Sequence, residues 1–349
     1  MRSILFTISL NWSFNTHVTL WVLWVTAGVA GWLLSRTKQG GKFVPGLVGP
    51  WLMVGAGLLI LPQLVSRAPQ LAAMGIQIPK NTPIFGFGLM LFMAFYASSL
   101  FAQWRFKQEG YDGEMAWDIA MWSMLAGVVG ARVWHVIQYY WTNFHGQPFS
   151  KVFALWDGGL VFYGGLIGGM LAFIAYCRAR KLDPVVIADI VIPSLFMGMG
   201  FGRIGCFLNG CCFGDPCQVP WAVSFPVNSP PFIDQVKTGL LSVSANGSLP
   251  VHPTQLYSAF DAFIMAALAW AYYPYRSRVS DVVVLAWAGH AVTRFCLEFL
   301  RADEQGQFST SLTISQWFSI GLLAAAGVFW VWTRFAYPPL KRQTTVGQA

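Results

Sequence analysis

The chain has 349 residues, of which 56% are apolar and only 10% charged, against roughly 25% charged in an average soluble domain. That composition excludes a water-soluble globular protein. The net charge of +8 does not indicate a nucleic-acid partner, because no basic stripe with interleaved aromatics accompanies it.

Several apolar runs reach the ~20 residues that cross a bilayer, so an all-α polytopic membrane protein is expected. Nine spans are predicted, at 17–35, 44–65, 83–103, 116–140, 158–177, 185–207, 254–273, 281–299 and 312–333. The first does not read as a cleavable signal peptide: Asn11, Asn15 and His17 interrupt the stretch and no small-residue cleavage site follows promptly. Alternate loops hold 13 basic residues, from Arg36 and Lys38 through Arg105, Arg178, Arg276 and Arg334 to Arg342, while the other side holds 6. Cytoplasmic loops carry the Lys/Arg excess, which puts the N-terminus outside and the C-terminus in the cytoplasm.

Three arginines remain inside the apolar spans: Arg132, Arg203 and Arg294. The predicted topology places each in the outer half of an outward-running span. An arginine in hydrocarbon costs several kcal/mol, from about 3 to over 10, so each is expected to face a polar cavity. The partner is either a carboxylate or helix-terminal carbonyl, or a bound anion; three at one depth with few acids beside them favour the anion. A guanidinium stays charged and its fork matches phosphate oxygens, which suggests an anionic lipid headgroup.

The fifth span opens Trp156-Asp157-Gly158-Gly159-Leu160-Val161-Phe162-Tyr163-Gly164-Gly165-Leu166-Ile167-Gly168-Gly169. So many helix-weakening glycines serve either close helix packing or the approach of backbone to a ligand. The sixth ends Gly202-Arg203-Ile204-Gly205-Cys206-Phe207-Leu208-Asn209-Gly210-Cys211-Cys212-Phe213-Gly214, which offers a cation and backbone N–H groups to an oxyanion where the helix breaks. An outer loop over 208–253, with a strand-like Trp221–Phe225, is expected to form a small β-rich head. It closes on His252-Pro253-Thr254-Gln255-Leu256-Tyr257. The eighth span ends Arg294-Phe295-Cys296-Leu297-Glu298-Phe299-Leu300-Arg301, where a spacing of four lets Arg294 and Glu298 pair.

These four stretches, in this order, resemble the signature segments of the bacterial phosphatidylglycerol–prolipoprotein diacylglyceryl transferase family. The likeness covers residues 83–335. Residues 1–82 then read as an extension with two added spans, and 336–349 as a cytoplasmic tail. The resemblance implies that the diacylglyceryl group of phosphatidylglycerol moves to the lipobox cysteine of a prolipoprotein at the outer leaflet of the inner membrane, with no cofactor and no metal. Carried over by position, it implies catalytic roles for Arg203, Arg294 and Asn209. Substrate-binding roles fall to Arg132, Gly164, Gly165, Gly205, Gly214, His252, Gln255, Tyr257 and Glu298.

The chain departs from the family pattern at four places. Tyr163 stands where widely studied members carry a histidine cast as the base, Cys206 where they carry asparagine, Cys211 where they carry an acid, and Phe87 where they carry tyrosine. A phenol of pKa near 10 is a poor base at neutral pH. His135, one turn after Arg132, is the expected substitute, the alternative being an interfacial residue bonded to a neighbour. Cys206, Cys211, Cys212 and Cys217 on the oxidising side read as disulfide-forming, as free thiols or as a metal site of unusual spacing. A lipid-binding pseudoenzyme and a transporter are the competing functions. Asp118 and Asp189, the best signs of a permeation path, read instead as helix-start residues.

Overall fold

The computed structural model describes residues 4–9, 81–153, 158–301 and 310–340. The predicted spans 17–35 and 44–65, and the tail beyond 340, lie outside the described residues. The chain divides at Phe85/Gly86 into two compact units. In the first, β1 (Ile4–Ser9) pairs antiparallel with β2 (Asn81–Phe85), with Ile8 opposite Thr82 and an irregularity between Ile4 and Phe6.

The second unit is helical: α1 (Gly86–Gln108), α2 (Glu114–Gln138), α3 (Phe162–Ala179), α4 (Pro184–Asn209), α5 (Pro230–Lys237), α6 (Thr254–Tyr272), α7 (Asp281–Glu298) and α8 (Ile314–Ala336). Among the described residues, α1, α2, α3, α4 and α8 are long and apolar enough to cross a membrane. The 19-residue α6 and 18-residue α7 are long enough, but Asp261 in one and His290, Arg294 and Glu298 in the other dilute their apolar character. Half of the most apolar stretch of α4 is buried inside the protein, against 11–17% for the other four. α4 is therefore the central helix, with α1 and α6 packed on it. Phe106, Ile187, Ile190, Ala262, Val282 and Val283 form the core between these helices.

Local chemistry sets the helix ends. Asp183 caps α4 by accepting from the Val185 N–H at 2.8 Å, with Pro184 in the first turn. At the other end Gly210 takes the left-handed conformation, φ 78°, and its N–H returns to carbonyls of the last turn. The third helix begins at Phe162 rather than near 158, because Gly158 and Gly159 both have φ +78° and break the helix there. α8 opens on a reciprocal cap between Thr313 and Gln316.

α2 and α3 approach through small residues. A Cβ on Gly164 would overlap the Gly130 carbonyl, and one on Gly168 would overlap the Ala126 carbonyl. Backbone thus meets backbone where any side chain would intrude. Gly164→Val is expected to cost about 1–3 kcal/mol by overpacking, read as a lower thermal midpoint in detergent, whereas Gly321→Val on an open face of α8 leaves it unchanged.

Several of the described basic residues of the predicted cytoplasmic loops lie close together. Arg105 and Arg276 stack on Tyr273 at 4.0 and 3.5 Å, and each lies 3.6 Å from Glu109. These residues line a recess of about 370 Å³ whose cations are already committed. Arg180 pairs with Asp118, and Arg278 donates to the carbonyls of Arg334 and Tyr337. Asp189, buried in α4, accepts from the N–H groups of Ser280 and Val283 and so caps α7. Asp118 and Asp189 thus both have structural partners. The Tyr337 phenol donates to Asp183, and burial together with that carboxylate pushes it up to about 12.

The expected β-rich head is instead a loop over 210–253 held by the isolated bridges Pro216–Val251, Val223–Val251 and Pro226–Gly247, with the eight-residue α5 inserted. Its prolines deny the ladder donors that a regular sheet needs. Phe213, Phe225 and Val251 form its small core.

Candidate active site

The end of the bundle opposite the basic cluster brings together the last turns of α4 and α7, the first turn of α8 and the loop between α4 and α6. Arg294 forms an ion pair with Glu298 and donates to Ser315 Oγ at 3.0 Å. The Glu298 side chain is fully buried, accepts from Thr313 Oγ1 at 3.0 Å and lies 3.9 Å from Arg301 Nε. Arg203, on α4, lies within electrostatic reach of Arg294. It makes no hydrogen bond or ion pair among the described residues. A guanidinium with donors unused among the described residues, beside a second one paired with a carboxylate, can accept an incoming oxyanion.

The glycines of the signature make this assembly possible. Gly214 is the tightest: a Cβ there would meet the Leu300 carbonyl at 2.5 Å, Thr254 Cγ2 at 2.7 Å and His252 Cβ at 2.8 Å. Its N–H donates to the His252 carbonyl, and the next residue, Asp215, donates to the Leu300 carbonyl. Three sequence-distant signatures therefore join at one glycine. Gly205 brings α4 onto α1, since a Cβ would lie 3.1 Å from both Phe87 and Met90. Gly165 lies in the α2–α3 contact beside Gly164, facing the Gly127 carbonyl.

Gln255 and Thr254 are fully buried. Their side chains donate to the carbonyls of Cys211 and Cys212 at 2.8 and 2.9 Å. The H-P-T-Q stretch thus fixes the turn after α4, so Gln255 holds backbone here. Tyr257 accepts from Trp221 Nε1 at 2.6 Å and lies 3.2 Å from His252 Nδ1. Asn209, the last residue of α4, is exposed. Tyr163, at the start of α3, lies against Phe318 of α8 with the rings tilted at 51° and their centroids 5.9 Å apart, one turn after the Ser315 that bonds Arg294.

Arg132 corrects the sequence expectation of a lipid-facing cation. It is buried, with Nε bonded to the Val152 carbonyl, Nη1 to those of Gly158 and Gly159, and Nη2 to that of Lys151. Four of its five donors clamp the loop after α2, which leaves little for an anion. Arg132→Lys, lacking the fork, is expected to loosen that loop by about 1–3 kcal/mol, seen as faster proteolytic nicking within 145–160 while the bundle stays folded. His135 belongs to the same cluster. Its ring packs on Tyr139 and Phe144 and against Gly159, where no Cβ would fit, and its buried Nδ1 has no hydrogen-bond partner among the described residues.

Sequence reasoning passed over Trp221 and Asp261. Asp261 accepts from Thr293 at 3.0 Å and lies 3.6 Å from His290, a polar layer between α6 and α7. A carboxylate within a membrane-length helix was the available signal for Asp261; nothing marked Trp221, whose role depends on the fold of the loop.

Apolar helices of membrane length, with glycines and arginines gathered at one end of the bundle, define a polytopic helical membrane protein. The chain belongs to the prolipoprotein diacylglyceryl transferase family, whose sequence model matches residues 73–332. It is 31% identical to the phosphatidylglycerol–prolipoprotein diacylglyceryl transferase of Clostridium tetani, over 68% of this chain and 88% of that protein. The like-named proteins of Rhodopirellula baltica and Nitrosospira multiformis are 25% and 28% identical, over 88% and 81% of this chain and 83% and 91% of theirs.

Proposed function

We propose that this protein transfers the diacylglyceryl group of phosphatidylglycerol to the lipobox cysteine of prolipoproteins, the first step of lipoprotein maturation. The cysteine sulfur attacks the glyceryl carbon that bears the phosphate, a C–S bond forms, the C–O bond to phosphate breaks, and glycerol phosphate leaves. The thiol proton passes to a base. Arg203, with Arg294, holds the phosphodiester and stabilises the charge that grows on it as the C–O bond breaks. The observation carrying this reading is Arg203: among the described residues its donors have no partner, and it lies near the Arg294–Glu298 pair, with the family's signatures converging on its helix end. Tyr163 and Asn209 flank this site, and Gly164, Gly165, Gly205 and Gly214 let the helices and loop close around it.

We assign the proton to His135, on the support of its unpartnered Nδ1 and its place beside the Gly158–Gly159 turn that leads to Tyr163. A second reading gives it to His252, whose ring Tyr257 and Trp221 orient. A transfer assay with His135→Gln and His252→Gln distinguishes them. Removing the base lowers kcat by roughly 10²–10⁴-fold; full activity in His135→Gln removes that residue from the chemistry. The charge asymmetry of the loops supports an N-terminus outside, a C-terminus in the cytoplasm, and a site opening to the outer leaflet of the inner membrane. A permeation path is disfavoured because Asp118 and Asp189 are bound to structural partners.

A further inference from the structure

Cys206, Cys211 and Cys212 come from the end of α4 and the turn that follows, and their three Sγ atoms lie within 4.8 Å of one another. Among the described residues no other group of His, Cys, Asp and Glu converges in this way. The backbone is shaped to produce it. Gly210, left-handed at φ 78°, ends the helix and turns the chain back, and Cys211 donates its N–H to the Cys206 carbonyl at 3.2 Å. Cys212 then adopts φ 60°, a conformation unfavourable for a residue with a Cβ. Thr254 and Gln255, both fully buried, hold the carbonyls of Cys212 and Cys211 in place.

A disulfide would use two of these thiols and leave the third facing it. The strained residue is one of the three convergent sulfurs, so the turn is built for three. We propose that Cys206, Cys211 and Cys212 bind one soft d10 cation, Zn2+ or Cu+, through three thiolates. Metal–sulfur bonds of ~2.3 Å put ligand sulfurs about 3.8–4.0 Å apart, so the cluster needs to contract by less than about 1 Å to coordinate. Softness of the donor set selects these ions over Mg2+ or Ca2+. Binding releases the thiol protons to solvent. The ion sits at a helix C-terminus, where the backbone dipole favours a cation. The site is separate from the transfer chemistry and stands or falls without it.

The test uses the full chain, purified in detergent under reducing conditions and freed of metal by chelation. Titration with Zn2+, with Cu+ and, for its thiolate charge-transfer band, with Co2+ is expected to give one ion per chain. Stoichiometric binding is lost in Cys206→Ser, Cys211→Ser and Cys212→Ser and retained in Cys217→Ser, each first matched to the parent in helix content and elution. Independently of any variant, the bound ion shields the three thiols of the parent chain from maleimide. Two results overturn the site: binding that survives Cys206→Ser, or non-reducing peptide mapping of freshly isolated membranes that finds two of the three joined in a disulfide.

Discussion

Arg203→Ala is expected to abolish diacylglyceryl transfer while leaving the bundle folded. Arg203 makes no internal bond among the described residues, so its removal costs little stability. In the proposed role its donors meet charge that appears during reaction, and losing one such donor typically lowers kcat by roughly 10²–10³-fold, with loss of a full cation at the upper end. Arg203→Lys keeps the charge but not the fork, and is expected to recover activity only in part. Arg294→Ala should differ in kind, because it also removes the ion-pair partner of the buried Glu298 carboxylate. It should therefore lose both activity and thermal stability. Label transfer and thermal midpoints measured on the same preparations separate the two roles.

The second large effect is expected at Glu298. Its side chain is fully buried between Arg294 and Thr313, so Glu298→Gln leaves Arg294 without its counter-charge in a low-dielectric site. Breaking a buried pair from one side costs about 3–5 kcal/mol, enough to lower the thermal midpoint markedly. Added phosphatidylglycerol should restore more stability to Glu298→Gln than to the parent, since a lipid phosphate can take the place of the carboxylate. Equal stabilisation of both by the lipid would mean that the headgroup does not reach Arg294.

Much of this was legible in the sequence. Apolar runs located the seven long helices among the described residues to within about five residues at each end, and the spacing of four between Arg294 and Glu298 allowed the ion pair they form. Helix ends were less legible. α1 runs on to Gln108 because amphipathic residues such as Arg105 continue the helix beyond the hydrocarbon-length window. α3 starts late because consecutive glycines take positive φ, a choice that glycine permits but composition does not reveal.

Arg132 was misread for a related reason. Its depth was visible, but the return of the Lys151, Val152, Gly158 and Gly159 carbonyls to its guanidinium is a tertiary event with no local signature. The outer loop read as strands through Val223 and Phe225, yet scattered prolines reduced the pairing to single bridges. The convergence of Gly214, His252 and Leu300 needed the fold as well: each motif was plain alone, and only packing shows that one missing Cβ joins them. The same holds for the thiols, since spacing gave four candidates and the left-handed turns at Gly210 and Cys212 select three.

The most direct measurement follows radiolabel from the acyl chains of phosphatidylglycerol to a synthetic lipobox peptide, using purified protein and its Arg203→Ala and Arg294→Ala variants. Thioether-linked label is expected with the parent chain and background with both variants, although Arg203→Ala keeps the parent's helix content. Undiminished transfer by Arg203→Ala, or none by a folded parent chain supplied with both substrates, would contradict a phospholipid held between these two guanidinium groups.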